Sequence, residues 1–133
     1  MKPFKLKIVT PKGVYQETEV EILNLRTTAG QIGILANHIP LASAIEISEM
    51  NYLQDGERKF FAIAGGFVYV NDQETTIIAN AIESPEEIDI NRALAAKQRA
   101  EERLTEQHGD MDILRAETAL KKSLIRIDVK NLK

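Results

Sequence analysis

The sequence predicts a β-plus-α protein: an all-β part over residues 1–84, followed by an antiparallel two-helix hairpin over 85–133. Two observations carry the prediction. All seven aromatic residues precede residue 70, all four prolines lie at or before Pro85, and six of seven glycines precede residue 67. Beyond Pro85 the chain is rich in Ala, Leu, Arg, Lys and Glu, and its apolar residues change from a period of two to one of three and four. Charge divides at the same place. Residues 1–83 carry seven basic and ten acidic side chains, whereas 84–133 carry ten of each.

In chain order, Phe4, Leu6 and Ile8 alternate with Lys5 and Lys7, the pattern of a half-buried strand. Pro11-Lys12-Gly13 turns the chain, and Val20, Ile22 and Leu25 supply the next apolar run. Residues 30–41 read as a glycine-containing loop. Asp55-Gly56, between Tyr52-Leu53 and Lys59-Phe60-Phe61, is a hairpin signal because both positions tolerate positive φ. Gly65-Gly66 is expected to separate that strand from Phe67-Val68-Tyr69-Val70, and Asn71-Asp72 turns into Thr75–Ala79. Eight to ten strands in about 80 residues suit a β-sandwich or a flattened barrel. Ser84-Pro85-Glu86-Glu87 has the form of a capping box with Pro at the first helical position, and Asp89 offers a second cap. Ala93, Ala96, Ala100 and Leu104 form one helical stripe. Gly109 with Asp110 or Asp112 ends that helix, and Ile113, Ala116, Leu120, Leu124 and Ile127 form the second stripe. The alanine-rich seam packs closely but buries little area.

Composition excludes several functions. With no cysteine there is no disulfide, thiolate metal site or cysteine nucleophile. A net charge of −3 argues against nucleic-acid binding. No apolar run reaches the ~20 residues of a membrane span. The start MKPFKLKIVT is too short and too charged for a signal peptide, which points to a soluble intracellular protein. The two histidines, His38 and His108, fall in different elements and read as a polar loop residue and a helix-end residue. No phosphate-binding glycine loop, dinucleotide fingerprint or nucleophile elbow occurs, so no enzymatic activity is expected. A free-standing sandwich with a coiled-coil dimerisation tail is the alternative reading, but it needs a longer heptad run than these stripes provide.

Gly30-Gln31-Ile32-Gly33-Ile34-Leu35, Asn37-His38-Ile39-Pro40-Leu41 and Gly65-Gly66-Phe67 stand in an order that, with Lys7-Ile8-Val9-Thr10-Pro11 and the closing hairpin, resembles the ε subunit of bacterial F-type ATP synthases. Ala36 departs from the family, which usually has proline there. The resemblance implies a ten-stranded β-sandwich and a non-catalytic rotor subunit requiring no cofactor. It further implies that the sandwich grips the γ subunit and rests on the ring of c subunits at the cytoplasmic face of the membrane. The protein would then be peripheral, membrane-associated only through the complex. The hairpin would either lie on the sandwich or reach into the head of α and β subunits to restrain ATP hydrolysis. Gly30, Gly33, Ile34, Leu35, His38, Ile39 and Pro40 become candidate docking residues, because an apolar loop is a natural contact surface.

Ile88-Asp89-Ile90-Asn91-Arg92-Ala93 matches the Ile/Leu-Asp-x-x-Arg-Ala motif of family members that bind ATP as a regulatory ligand. Arg92, Arg99 and Arg103 recur at seven and four, as do Arg115, Lys122 and Arg126, so each set shares one helical face. Folding the hairpin can bring two cationic stripes together around a triphosphate. Glu83 and Asp89 would accept hydrogen bonds from the adenine amino group or ribose, with Ala93 leaving room for the base. The expected ATP-site residues are therefore Glu83, Ile88, Asp89, Arg92, Ala93, Arg99, Lys122 and Arg126. Lys122 stands where ATP-binding relatives carry arginine, keeping the charge but losing bidentate geometry.

Overall fold

A computed structural model describes residues 2–106 and 109–132, apart from the side chains of Asp110 and Met111. The expectation for His108 lies outside the described residues. Eight strands precede two helices: β1 (Phe4–Thr10), β2 (Gly13–Val20), β3 (Ile22–Thr27), β4 (Gly30–Ile34), β5 (Leu41–Gln54), β6 (Glu57–Val70), β7 (Thr75–Ala79), β8 (Ile82–Glu83), α1 (Ile90–Thr105) and α2 (Asp110–Asn131). The strands pair in the order β2-β1-β7-β6-β5-β3-β4, with β8 also on β6. All pairs are antiparallel except β1 with β7.

This path folds over on itself. Were it flat, β2 and β5 would lie four strand spacings apart, about 19 Å. Instead Tyr52 of β5 donates its hydroxyl to Gln16 of β2 at 3.0 Å, and the Gln54 amide donates to Thr18 at 2.7 Å. The two layers enclose one core that includes Leu6, Ile8, Leu23, Leu25, Ile34, Met50, Ile63, Val68 and Ile77. That arrangement is the sandwich the sequence predicts.

Three strand expectations change in detail. The chain turns at Glu21, so Val20 and Ile22 sit in different strands, and Leu23 with Leu25 points inward on β3. The expected loop from Gly30 begins as a strand, since Gly30–Ile34 pairs residue for residue with β3. Gly65-Gly66 does not separate two strands. Both take positive φ, 85° and 144°, inside an unbroken β6. A Cβ at Gly66 would stand 2.0 Å from the Ile78 carbonyl oxygen, so only glycine lets β7 approach here. Asp55-Gly56 forms the anticipated two-residue hairpin, with φ of 51° and 79° and Gln54 opposite Glu57.

The capping box forms only in part. Glu87 accepts from the Ser84 backbone N–H at 2.9 Å, yet residues 85–87 make only a turn. The helix starts at Ile90, with Asp89 as N-cap accepting from the Arg92 amide at 3.1 Å. At the other junction, Gly109 itself is the N-cap of α2 and supplies no side-chain bond. Ala93, Ala100, Ala116 and Ser123 are buried in the hairpin. Leu124, expected in the seam, is 39% exposed, and Ser123 takes the inner position, donating to the Ala119 carbonyl at 2.8 Å. The two helices pack on each other within the chain.

The hairpin lies on the sandwich. Val129 and Ile125 of α2 pack with Phe60 and Ala62 of β6 and with Ile88 of the connecting turn. Among the described residues no helix is long and apolar enough to cross a membrane.

Candidate functional site

The turn from Glu83 to Asp89 is fastened on both sides. Arg126 of α2 donates from Nε to Glu83 at 2.5 Å, and Lys130 donates to the Pro85 carbonyl at 2.7 Å. On the other flank the Tyr15 hydroxyl of β2 donates to Glu87. Between this turn, α1 and α2 lies a pocket of about 300 Å³, lined by Glu83, Glu87, Asp89, Arg92, Ala93, Ala96, Arg99 and Arg126.

Six of the eight residues expected for an ATP site therefore meet: Glu83, Asp89, Arg92, Ala93, Arg99 and Arg126. The helical period explains the α1 members, since Asp89, Arg92, Ala93, Ala96 and Arg99 follow one face at steps of three, one, three and three. Two expected residues are elsewhere. Ile88 is 3% exposed and belongs to the apolar cluster joining turn and sandwich. Lys122, one turn before Arg126, borders the shallow groove near Ile47 and Ala64 instead. Glu87 and Ala96 were missed. Ala96 lies in the small-residue stripe of α1, whereas the Ser84–Glu87 spacing points only to capping.

The charges are unevenly partnered. Glu83 has Arg126, Asp89 has the Arg92 amide through one oxygen, and Glu87 has Tyr15 and Ser84. Among the described residues the Arg92 and Arg99 guanidiniums have no hydrogen-bond or ion-pair partner. Burial by itself would raise the Glu87 carboxyl, but the hydrogen bonds from Tyr15 and the Ser84 backbone hold it below its ordinary value. Burial first, and the neighbouring Glu87 second, push the Tyr15 hydroxyl well above its ordinary range. The pocket thus offers an anion two exposed guanidiniums without a partner among the described residues, beside a helix N-terminus and small Ala93 and Ala96. A larger cleft of about 730 Å³ lies on the other side of Glu87. Its cations Arg58 and Lys59 already donate to Asn51 and Gln54, which leaves it less suited to a polyanion.

The candidate docking residues divide. Gly30, Gly33 and Ile34 are strand residues of β4, and Ile34 is fully buried in the core, so it has no surface to offer. Leu35 and Ile39 are exposed, Ile39 to 75%, and Pro40 beside them is exposed as well. His38 is half-buried, with Nδ1 2.7 Å from the Ile39 carbonyl oxygen, the local role of a loop residue. Among the described residues no group of His, Asp or Glu has the arrangement of a metal site.

The architecture is that of a two-part β-plus-α chain, a β-sandwich carrying a docked helical hairpin, with a pocket holding three arginines at their joint. The sequence model of the ATP synthase delta/epsilon chain β-sandwich domain matches residues 3–85, and that of the delta/epsilon chain long α-helix domain matches 86–131. The chain is 44% identical over 129 residues to an ATP synthase epsilon chain of Bacillus licheniformis, covering 97% of this chain and 98% of that one. It is 46% identical over 125 residues to one of Desulfitobacterium hafniense, covering 94% of each. The chain belongs to the delta/epsilon family of ATP synthase subunits, whose epsilon chains are non-catalytic parts of the stalk. The fold also matches a chain of the Euglena gracilis mitochondrial ATP synthase, OSCP/F1/c-ring, with a TM-score of 0.82 at 21% identity, covering 95% of this chain and 79% of that one. A central-stalk/c-ring chain from Tetrahymena thermophila matches with a TM-score of 0.69 at 12% identity, covering 97% of each.

Proposed function

We propose that this subunit is a rotor component that couples proton flow to ATP synthesis, and that its hairpin senses ATP. In this reading residues 1–84 dock on the γ subunit and the ring of c subunits at the cytoplasmic face of the bacterial membrane. Leu35, Ile39 and Pro40 are part of the docking surface. Residues 85–133 form the regulatory unit, docked on the sandwich when ATP is bound and released toward the α and β subunits when it is not. The observation carrying the ATP part is the pocket at the joint, where the Arg92 and Arg99 guanidiniums, without a partner among the described residues, stand beside the Glu83–Arg126 pair.

The energetics fit a switch. A seam of Ala93, Ala100, Ala116 and Ser123 buries little area between α1 and α2, so folded and extended hairpins are separated by only a few kcal/mol. A ligand that binds only the docked form adds RT ln(1 + [L]/Kd), about 2.7 kcal/mol at a hundredfold excess over Kd. Titration calorimetry of the full chain with ATP tests the pocket. Arg92→Ala and Arg126→Ala should each weaken binding by about 1.5–3 kcal/mol, the scale of a charged hydrogen bond. Failure of the wild-type chain to bind would remove ATP sensing from the reading. In the assembled enzyme, deleting residues 86–133 should raise hydrolysis at low ATP and change little at high ATP.

A further inference from the structure

Glu87 borders both cavities at the joint, the 300 Å³ pocket and the 730 Å³ cleft. One of its oxygens, Oε1, accepts both the Tyr15 hydroxyl and the Ser84 amide. Tyr15 comes from β2, 72 residues earlier, and is itself held edge-on against Phe61 at 6.3 Å. Two donors on one oxygen tether the carboxylate to the sandwich. That tether matters because Glu87 stays ionised and shares its pocket with three arginines. An untethered carboxylate there competes with any incoming anion for the same guanidiniums.

We propose that Tyr15 is a positioning residue of the nucleotide pocket: its hydroxyl anchors the Glu87 carboxylate to β2 and so keeps it from Arg92 and Arg99. The inference rests on the ATP reading of the pocket for its effect on affinity, while the anchoring stands on the hydrogen bonds alone. Removing the hydroxyl releases an internal competitor. Glu87→Gln, by contrast, keeps an oxygen that accepts from both donors and removes the competing charge.

The test is an ATP titration of the full chain, wild type against Tyr15→Phe, Glu87→Gln and the double variant. Tyr15→Phe should bind about tenfold more weakly. Glu87→Gln should bind at least as tightly as wild type, and the double variant should bind like Glu87→Gln. A double variant as weak as Tyr15→Phe would assign Tyr15 a merely structural role and overturn the proposal, as would a Tyr15→Phe chain that binds like wild type. A wild-type chain that does not bind ATP would sink the ATP reading, and amide exchange over residues 84–89 then decides the anchoring. Faster exchange in Tyr15→Phe supports it; equal exchange overturns it.

Discussion

The sandwich and the hairpin are held together by different means. Of the twelve largest fully buried side chains among the described residues, eleven lie between Leu6 and Ile77; the twelfth, Val129, faces the sandwich rather than the other helix. The hairpin's own seam is built of alanines and a serine. What secures it to the sandwich is one small apolar cluster around Val129 and a set of polar ties at one joint: Arg126 to Glu83, Lys130 to Pro85 and Tyr15 to Glu87. A large apolar core is stable under any condition that preserves the hydrophobic effect. Ties that each involve a charged group answer to pH, salt and anions. One region is suited to persist and the other to be moved.

The contrast can be broken most severely in the sandwich. Leu25→Ala should cost about 2–5 kcal/mol, read as a lower midpoint in denaturant unfolding of the whole chain. Gly66→Ala belongs to the same class, because its Cβ has no room against the Ile78 carbonyl. If either variant loosened only the hairpin, the division of stability described here would be wrong.

Val129→Ala should cost less, about 1–2 kcal/mol for the two methyl groups lost. Its effect should be local. Amide exchange in α2 should accelerate while the sandwich transition stays near its wild-type midpoint.

Acid and base should open the joint before they unfold the sandwich. Glu87 is held below its ordinary 4.5, so its contribution is present above that value and is lost as pH falls through the lower folded-state value. Tyr15 is raised above its ordinary 10.0, so its contribution is complete below pH 10 and is lost as pH climbs beyond it. Ser84 and Glu86 face the same carboxylate, Ser84 supporting its charge and Glu86 opposing it. Two labels, on β2 and on α2, should therefore hold one separation through neutral pH and diverge at both extremes. In Tyr15→Phe the divergence above pH 10 should disappear.

The smallest expected effect sharpens the contrast from the other side. Ser123→Ala removes a buried hydroxyl bonded only to helix carbonyls and improves helix propensity, so the hairpin should gain up to about 0.5 kcal/mol. Slower exchange along α2, with the sandwich unaffected, is the result to look for.

Much of the architecture is legible in the residues themselves. Alternation at Phe4, Leu6 and Ile8, the Asp55-Gly56 turn and the alanine stripe of α1 are local patterns. Neighbours along the chain set which side chains share a face, and the structure keeps those faces. The motif from Ile88 to Ala93, with arginines at seven and four, likewise places Arg92, Ala93 and Arg99 on one side of α1, where they line a pocket.

What the tertiary structure alone decided is which face meets which partner. A stripe at three and four residues tolerates a shift of one position, and contact with α1 turned Ser123 inward and Leu124 out. Packing on the sandwich left Arg126 bordering both the pocket and a neighbouring groove, whereas Lys122 borders only the groove. The same docking buried Ile88 and delayed the first helix to Ile90. Pairing with β3 made Gly30–Ile34 a strand and turned Ile34 into the core. The Tyr15–Glu87 contact has no sequence signal, because it joins residues 72 positions apart whose only relation is the fold. Periodicity along a chain specifies directions relative to that chain. Distances between elements are set by how their surfaces pack, and the charged joint between sandwich and hairpin exists only at that level.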